Sequence, residues 1–306
     1  MSNVAIIDIG TNTFHLMVVD LSNNKKILHK EKIAVRLGKG GISENKISDD
    51  ASDRAIRTLL DFKKTTVSLD VINTFATATS AVRNAANGNL FVERVKKETG
   101  IDIRVISGAD EATYIYEGVK QALQVGREPA LVMDIGGGSV EFILCNQSEI
   151  FWLQSFEIGA QRLLDKFHHH DPMTEEDVKA VKHFLRDALG PLKEQLNKLK
   201  PRKLIGSSGT FDTLVDIVFA TSDEEKLDQV AFELTTADFY KIHQELIVKN
   251  RADRLSIPGM LEMRVDMIVV ASCLIEYILE INKFDSINVS TYSLKEGILE
   301  EILQKA

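Results

Sequence analysis

The sequence predicts an α/β protein built from two duplicated domains. Three observations carry this. Strand and helix signals alternate through both halves of the 306 residues. A strand–turn–strand segment near the start returns 126 residues later, with Asp8 aligning on Asp134. Between a helix signal and a strand signal, Gly126 to Pro129 reads as a junction, giving domains of 1–125 and 126–306.

In the first half, Val4 to Asp8 and Phe14 to Asp20 are apolar, β-branched-rich runs separated by Gly10-Thr11-Asn12, the pattern of strand, turn and strand. Ile27 to Leu37 reads as a third strand running into Gly38-Lys39-Gly40-Gly41. Ile56, Leu59, Leu60 and Phe62 are spaced as one buried helix face, predicting a helix over 51–65. A strand follows over 72–77, then a helix over 89–99 with Gly100 placed to end it. A strand over 103–106 and a helix over 110–123 complete this half.

The second half repeats the theme. Ala130 to Asp134 and Val140 to Cys145 are strands around the turn Gly136-Gly137-Gly138, and Ile150 to Phe156 is a third. Thr174-Glu175-Glu176-Asp177 resembles a capping box opening a long helical region. Gly190-Pro191 breaks or kinks that region. Lys203 to Gly206 is a short strand leading through Ser207-Ser208-Gly209-Thr210 into a helix. Pro258 to Ile281 reads as one long apolar helix, Ser286 to Ser290 as a strand, and Leu294 to Lys305 as the last helix.

Composition narrows the function classes. Hydrophobic residues are 44% and charged residues 27%, an ordinary globular balance that lets each half bury a core. No apolar stretch approaches the roughly 20 residues of a membrane helix. The start, MSNVAIIDIG, enters a strand-like run and lacks the parts of a signal peptide, so a cytoplasmic protein with no membrane partner is expected. A net charge of −8 argues against binding a nucleic acid polymer or an anionic surface. It leaves room for a polyanionic substrate in a locally basic pocket. Cys145 and Cys273 lie far apart in apolar runs and read as buried thiols.

The repeat is the most informative feature. Ile6-Ile7-Asp8-Ile9-Gly10 and Val132-Met133-Asp134-Ile135-Gly136 share one pattern, and the offset holds without a gap into both following strands. A repeat this long is the trace of a duplicated domain, not of a stacked array. Both turns carry small residues: Gly10, Thr11, Asn12 and Thr13 in one, Gly136, Gly137, Gly138 and Ser139 in the other. With so little bulk, backbone N–H groups can close around phosphate oxygens, and the hydroxyls add donors. Asp8 and Asp134 would repel that phosphate unless a divalent cation sat between. Mg²⁺ suits all-oxygen ligands best, with Mn²⁺ as the alternative. Two such hairpins facing each other across a cleft would grip a phosphate chain from both sides. Three consecutive glycines beside a buried sheet bring no structural gain, which weighs against a plain hairpin.

At these residues a family becomes visible. Asp8-Ile-Gly-Thr-Asn-Thr-Phe-His-Leu and Asp134-Ile-Gly-Gly-Gly-Ser-Val-Glu resemble the two phosphate motifs of the acetate kinase, sugar kinase, Hsp70 and actin superfamily. Their wording resembles the exopolyphosphatase / guanosine pentaphosphate phosphatase branch. Ala78-Thr79-Ser80-Ala81-Val82-Arg83-Asn84-Ala85, Ile106-Ser107-Gly108-Ala109-Asp110-Glu111-Ala112, Gly206-Ser207-Ser208-Gly209-Thr210 and Leu294-Lys295-Glu296-Gly297 resemble four further motifs of that branch, in order along the chain. The resemblance implies two actin-like (ribonuclease H-like) domains with a cleft between them. Two positions depart from its pattern: Asp110 stands for the first Glu of a pair, and Lys295 for an Arg. Long members carry extra C-terminal helical domains, which the resemblance assigns to holding long polymers. The chain ends before them, so a preference for short chains is expected.

The implied reaction is Mg²⁺-assisted hydrolysis of a terminal phosphoanhydride, water attacking in line. Glu111 matches the family's catalytic glutamate and is the candidate base; by itself it reads as a carboxylate favoured by a helix N-terminus. Asp134, Glu141 and Asp8 are the expected metal-side carboxylates. Glu141 interrupts an otherwise apolar strand, as His15 does at the equivalent place in the repeat. Thr11, Asn12, Thr13, Gly136, Gly137, Gly138 and Ser139 would bind phosphate, and Arg83 would clamp it or else form a surface ion pair. Ser207, Ser208, Gly209 and Thr210 would bind phosphate at a helix N-terminus or only cap it. A monovalent cation such as K⁺ is a further candidate. His168-His169-His170 reads as a polar loop rather than a metal site, because three adjacent imidazoles converge poorly on one ion. Lys193, Lys198, Lys200, Arg202 and Lys203 read as a solvated basic face, with a polyphosphate track as the alternative. The expected substrate is inorganic polyphosphate or guanosine pentaphosphate. A small-molecule kinase and a non-catalytic polyphosphate or alarmone sensor remain as alternatives. A homodimer is plausible because such assemblies are common.

Overall fold

The computed structural model describes residues 3–23, 25–222, 226 and 228–305. The chain forms two compact units. One runs to Glu111 and takes back the chain from Gly297; the other is Ala112–Glu296. The sequence expectation drew its line at 125/126, whereas this division falls inside a helix.

The first unit is built on five strands: β1 (Asn3–Ile9), β2 (Phe14–Asp20), β3 (Lys26–Ile33), β4 (Val71–Ala78) and β5 (Ile103–Val105), in the order β3-β2-β1-β4-β5. The hairpin β1–β2 is antiparallel, and β4 returns parallel to β1. The crossover is helix α1 (Asp49–Ser68), opened by the Ser48 side chain accepting from the Ala51 N–H. The short α2 (Ser80–Arg83) and α3 (Gly88–Thr99) follow β4, and Gly100 ends α3 in the left-handed region at φ 73°. Ile7, Ile9, Phe14 and Leu16 of the sheet share a core with Leu59 and Phe62 of α1 and Phe91 of α3. Helix α4 (Gly108–Ala122) comes after β5.

The third strand ends at Ile33 and not at Leu37. Beyond it, the Arg36 and Gly38 N–H groups donate to the Asn12 and Thr11 carbonyls, each at 2.8 Å. These residues find their acceptors in the β1–β2 turn, which removes them from the ladder.

The second unit repeats the plan on six strands. They are β6 (Ala130–Ile135), β7 (Val140–Cys145), β8 (Ile150–Phe156), β9 (Lys203–Ser207), β10 (Ala231–Leu234) and β11 (Ser286–Ser290), ordered β10-β11-β9-β6-β7-β8. Read from β8, the order is a hairpin, then β9 parallel to β6, then β11 parallel to β9. Helices α5 (Ala160–Phe167), α6 (Glu175–Ala188), α7 (Gly190–Leu199), α8 (Ser208–Thr221), α9 (Thr236–Val248), α10 (Arg251–Leu255) and α11 (Met267–Ile281) belong to this unit, with α7 and α8 packed on its strands. Helix α12 (Leu294–Lys305) follows it.

Thr174 and Asp177 form the expected capping box, and the chain breaks between α6 and α7 where Pro191 stands in the first turn of α7. The apolar run from Pro258 is helical only from Met267. Gly259 sits at φ 85°, and a Cβ there would lie 2.5 Å from the Asp216 carbonyl, so this stretch turns tightly instead of coiling. Five labelled elements carried weak sequence signals and were not expected: α2, α5, β10, α9 and α10. Helix α11, apolar but for Ser272, Glu276 and Glu280, packs against α5, α6 and α9, which cover its largely apolar surface. Cys145 and Cys273 are free, buried thiols, and burial pushes both up to about 12. Among the described residues, no helix is long and apolar enough to cross a membrane.

Candidate active site

Each unit carries one turn of the repeat, and the two hairpins have the same register. Asp8 pairs with His15 across β1–β2, and Asp134 pairs with Glu141 across β6–β7. Opposed residues of an antiparallel pair point to the same face, so each hairpin presents a carboxylate beside a second polar group.

In the first unit the turn closes with the Gly10 N–H donating to the Thr13 carbonyl at 3.2 Å. A Cβ on Gly10 would sit 2.8 Å from that oxygen. The carbonyls of Thr11 and Asn12 are taken by the loop after β3, while the N–H groups of Thr11 and Thr13 meet no acceptor among the described residues. Thr11 and Asn12 are buried, and the Thr13 hydroxyl lies 3.1 Å from His15 Nε2.

Glu111 belongs to the same unit. Ser107 and Asp110 cap α4 reciprocally: the Asp110 N–H donates to Ser107 Oγ, and the Ser107 N–H to Asp110 Oδ2. The departure from the family's Glu pair therefore serves as a capping residue. Glu111 follows in the first turn of α4. It is 7% exposed, and its Oε2 accepts from Arg83 Nη1 at 2.8 Å. Arg83 Nη1 also donates to the Ile106 carbonyl at 3.2 Å. Arg83 is thus bound to the glutamate rather than forming a surface ion pair.

In the second unit the carbonyls of Gly136, Gly137 and Gly138 accept from the N–H groups of Ala160, Gln161 and Gly159 at the start of α5. Arg162 Nε adds a bond to the Gly138 carbonyl at 3.0 Å. A Cβ on Gly159 would lie 2.4 Å from the Gly137 backbone, so this approach requires glycine. The turn's oxygens are occupied, and the N–H groups of Gly137, Gly138 and Ser139 meet no acceptor among the described residues. Three consecutive open amides form an anion cradle.

Beside this cradle, Asp134 is 5% and Glu141 1% exposed. Asp134 Oδ2 accepts from the Ser207 hydroxyl at 2.6 Å and the Ser293 hydroxyl at 2.5 Å. Glu141 Oε1 accepts from the Ser155 hydroxyl at 2.6 Å. Because Ser207 Oγ bonds to Asp134, it makes no capping bond to α8. Ser208 begins that helix at φ 73°, a conformation that costs a non-glycine residue energy and is found at functional turns. Gly209 admits the Arg264 guanidinium: a Cβ there would lie 2.1 Å from Nη2.

Arg264 is 9% exposed, and its Nε has no hydrogen-bond partner among the described residues. Burial lowers its pKa, opposed by the charges of Asp212 and Asp134. A buried guanidinium held against the β9–α8 turn is a ready anion ligand. Sequence reasoning missed it, together with Ser155 and Ser293. An arginine inside the apolar run 258–281 was the available signal for Arg264. The two serines gave none: Ser155 meets Glu141 through the β7–β8 register, and Ser293, in the segment after β11, reaches Asp134 only through tertiary packing.

Two buried carboxylates paired across one strand register, with serine hydroxyls beside them, make an all-oxygen environment of the kind Mg²⁺ takes. The residues of the second unit therefore fit Mg²⁺. Among the described residues, no three His, Cys, Asp or Glu side chains gather as a metal-binding group. His168 Nε2 lies 3.7 Å from Asp171 Oδ1, and His170 Nδ1 is 2.9 Å from Asp177 Oδ2.

Comparison with known proteins gives a consistent set. The profile of the Ppx/GppA phosphatase family matches residues 17–306. A crystal structure of an exopolyphosphatase from Cytophaga hutchinsonii is 46% identical with a TM-score of 0.95, covering 100% of this chain and 99% of that one. The Aquifex aeolicus PPX-GPPA enzyme is 28% identical with a TM-score of 0.79, covering 98% and 99%. Among curated proteins, the guanosine-5'-triphosphate,3'-diphosphate pyrophosphatase of Photobacterium profundum is 28% identical over 302 residues. That match covers 98% of this chain but 59% of the relative's own length.

Proposed function

This chain belongs to the Ppx/GppA phosphatase family, and we propose that it hydrolyses the terminal phosphoanhydride of inorganic polyphosphate, releasing orthophosphate. The observation that carries the reading is the buried Asp134–Glu141 pair beside the open amides of Gly137, Gly138 and Ser139. Together they suit a Mg²⁺-bound phosphate: anion donors on one side, oxygen ligands for the cation on the other. Bound there, Mg²⁺ (or Mn²⁺) would neutralise charge on the transferring phosphoryl group.

The chain's own groups take the following roles. The amides and hydroxyls of residues 11–13 and 136–139 orient the phosphates. The β9–α8 turn, Ser207 to Thr210, and the Arg264 guanidinium bind further phosphate oxygens. Glu111 accepts a proton from the attacking water as the new O–P bond forms. The bridging P–O bond breaks, and its electron pair leaves with the shortened chain. Arg83 holds Glu111 aimed through its 2.8 Å ion pair, itself anchored by the bond from Nη1 to the Ile106 carbonyl.

Polyphosphate is placed first because the similar exopolyphosphatase is 46% identical over the whole chain, against 28% for the guanosine nucleotide enzymes. Those enzymes motivate the second reading, a guanosine pentaphosphate 5'-phosphohydrolase, which asks for the same chemistry. The test is orthophosphate release from tripolyphosphate, long polyphosphate and guanosine pentaphosphate with Mg²⁺. Faster release from the inorganic chains supports the first reading, and faster release from the nucleotide the second. Tight binding of either with no release by the wild type would sink both in favour of a sensor.

A further inference from the structure

The loop after β3 does more than support the phosphate turn. It lines a hollow of about 530 Å³ in the first unit, with Arg36, Lys39, Asp50 and Arg54 among its walls. Arg54 is fully engaged: Nε and Nη2 donate to the Val35 and Arg36 carbonyls, each at 3.0 Å, and Nη1 to Asp50 Oδ2 at 3.2 Å. The Arg54 and Asp50 charges therefore offset each other. The Arg36 and Lys39 side chains are exposed and meet no acceptor among the described residues. The hollow keeps two cations with no carboxylate to answer them.

The backbone holds this arrangement under strain. Arg36 sits at φ 54°, a left-handed conformation that a side chain normally avoids. It is fixed from both sides: its N–H donates to the Asn12 carbonyl, and its own carbonyl accepts from Arg54. Two residues on, Gly38 closes against the turn, where a Cβ would lie 2.5 Å from the Thr11 methyl. Thus the segment that carries the two free cations is bolted to the turn whose amides face the substrate. An extended or helical backbone at residue 36 would send the arginine elsewhere.

We infer that Arg36 and Lys39 form a second phosphate subsite, which takes a diphosphate group of the substrate beyond the one held at Thr11 and Asn12. The inference rests on the phosphate-substrate reading of the Thr11–Asn12 turn. A guanidinium fork and a lysine suit adjacent phosphates, one bidentate and one as a point charge. The diphosphate has two sources: inner units of a linear polyphosphate, or the second diphosphate of a guanosine nucleotide.

The test measures affinity in the full chain carrying Glu111→Gln, so that turnover does not consume the ligand. Titration calorimetry with Mg²⁺ is run with tripolyphosphate, long polyphosphate and guanosine pentaphosphate. The comparison is between that protein and versions adding Arg36→Gln with Lys39→Gln, Arg36→Lys with Lys39→Arg, or the remote surface change Lys97→Gln. Neutralising both cations weakens the longer ligand about tenfold and flattens its salt dependence, because two ionic contacts are lost. Tripolyphosphate changes less than twofold, and the charge-keeping pair restores most of the loss. A loss confined to long polyphosphate names the inorganic source; one confined to the nucleotide names the other. An effect equal to that of Lys97→Gln, or equal for all three ligands, overturns the subsite. Orthophosphate release by the wild type is scored separately. No release with the length-dependent loss intact removes the hydrolase reading and keeps the subsite; release without that loss does the reverse.

Discussion

Arg83 Nη1 stands 2.8 Å from Glu111 Oε2, with both side chains largely shielded from water. The pair joins two segments, 78–85 and 106–112, that lie apart in the chain. A guanidinium held this close restricts the rotamers of the glutamate and fixes the direction of its carboxylate.

Glu111→Gln should lower orthophosphate release by roughly 10²- to 10⁴-fold, the usual contribution of a general base, with substrate affinity retained. Arg83→Ala should destabilise the fold by about 3 kcal/mol, since it leaves a buried carboxylate without this partner. Adding Glu111→Gln to Arg83→Ala should recover much of that loss. Urea denaturation of the two single variants and the double variant measures the coupling; strictly additive effects would show that the ion pair is energetically idle.

The Asp134–Glu141 pair predicts a metal-linked rise in stability. Mg²⁺ binding only the folded state must raise the melting temperature as its concentration rises. Asp134→Asn should abolish most of that rise and the activity together. Thermal melts across a Mg²⁺ series decide this, and an undiminished rise in the variant would move the cation to other ligands.

Arg264 separates function from stability. Its pKa is lowered by burial in spite of Asp212 and Asp134, so holding the charged guanidinium costs the fold energy. Arg264→Met should leave the melting temperature unchanged or higher while raising KM about tenfold or more. A lower melting temperature with unaltered kinetics would make Arg264 a structural cation.

The second unit holds a pH-sensitive contact away from the chemistry. Burial would raise the Glu276 pKa, but Lys182 at 2.8 Å and His243 at 3.2 Å hold it at about 2, below its ordinary 4.5. A depressed carboxylate stabilises the fold fully above its unfolded value and loses that contribution as pH falls through the folded one. The wild-type advantage over Glu276→Gln should therefore be complete above about pH 4.5 and vanish toward pH 2. Denaturation midpoints of both proteins across that window test it; a constant difference would refute the linkage.

Much of the architecture could be read in advance because it depends on local patterns. Apolar, β-branched-rich runs around small-residue turns located β1, β2, β6 and β7, and the matching registers Asp8–His15 and Asp134–Glu141 follow from the unbroken repeat. Capping chemistry located the start of α6 and the end of α3. Where the expectation failed, tertiary contacts had replaced local preference. Residues 34–37 read as strand, but bond to the 10–13 turn; residues 258–266 read as helix, but turn at Gly259.

For the site, residue type by itself pointed to the carboxylates and the small-residue turns, because phosphate chemistry needs those groups at those turns, whereas Glu111 stood out only through the family resemblance, since alone it reads as a carboxylate at a helix N-terminus. Tertiary structure decided what each group touches. It set Arg83 against Glu111, the Ser207 and Ser293 hydroxyls on Asp134, and the Arg264 guanidinium over Gly209. Those contacts join positions up to 159 residues apart. No local pattern encodes them, since long-range pairing is selected by the packing of whole elements and not by the propensity of any one segment.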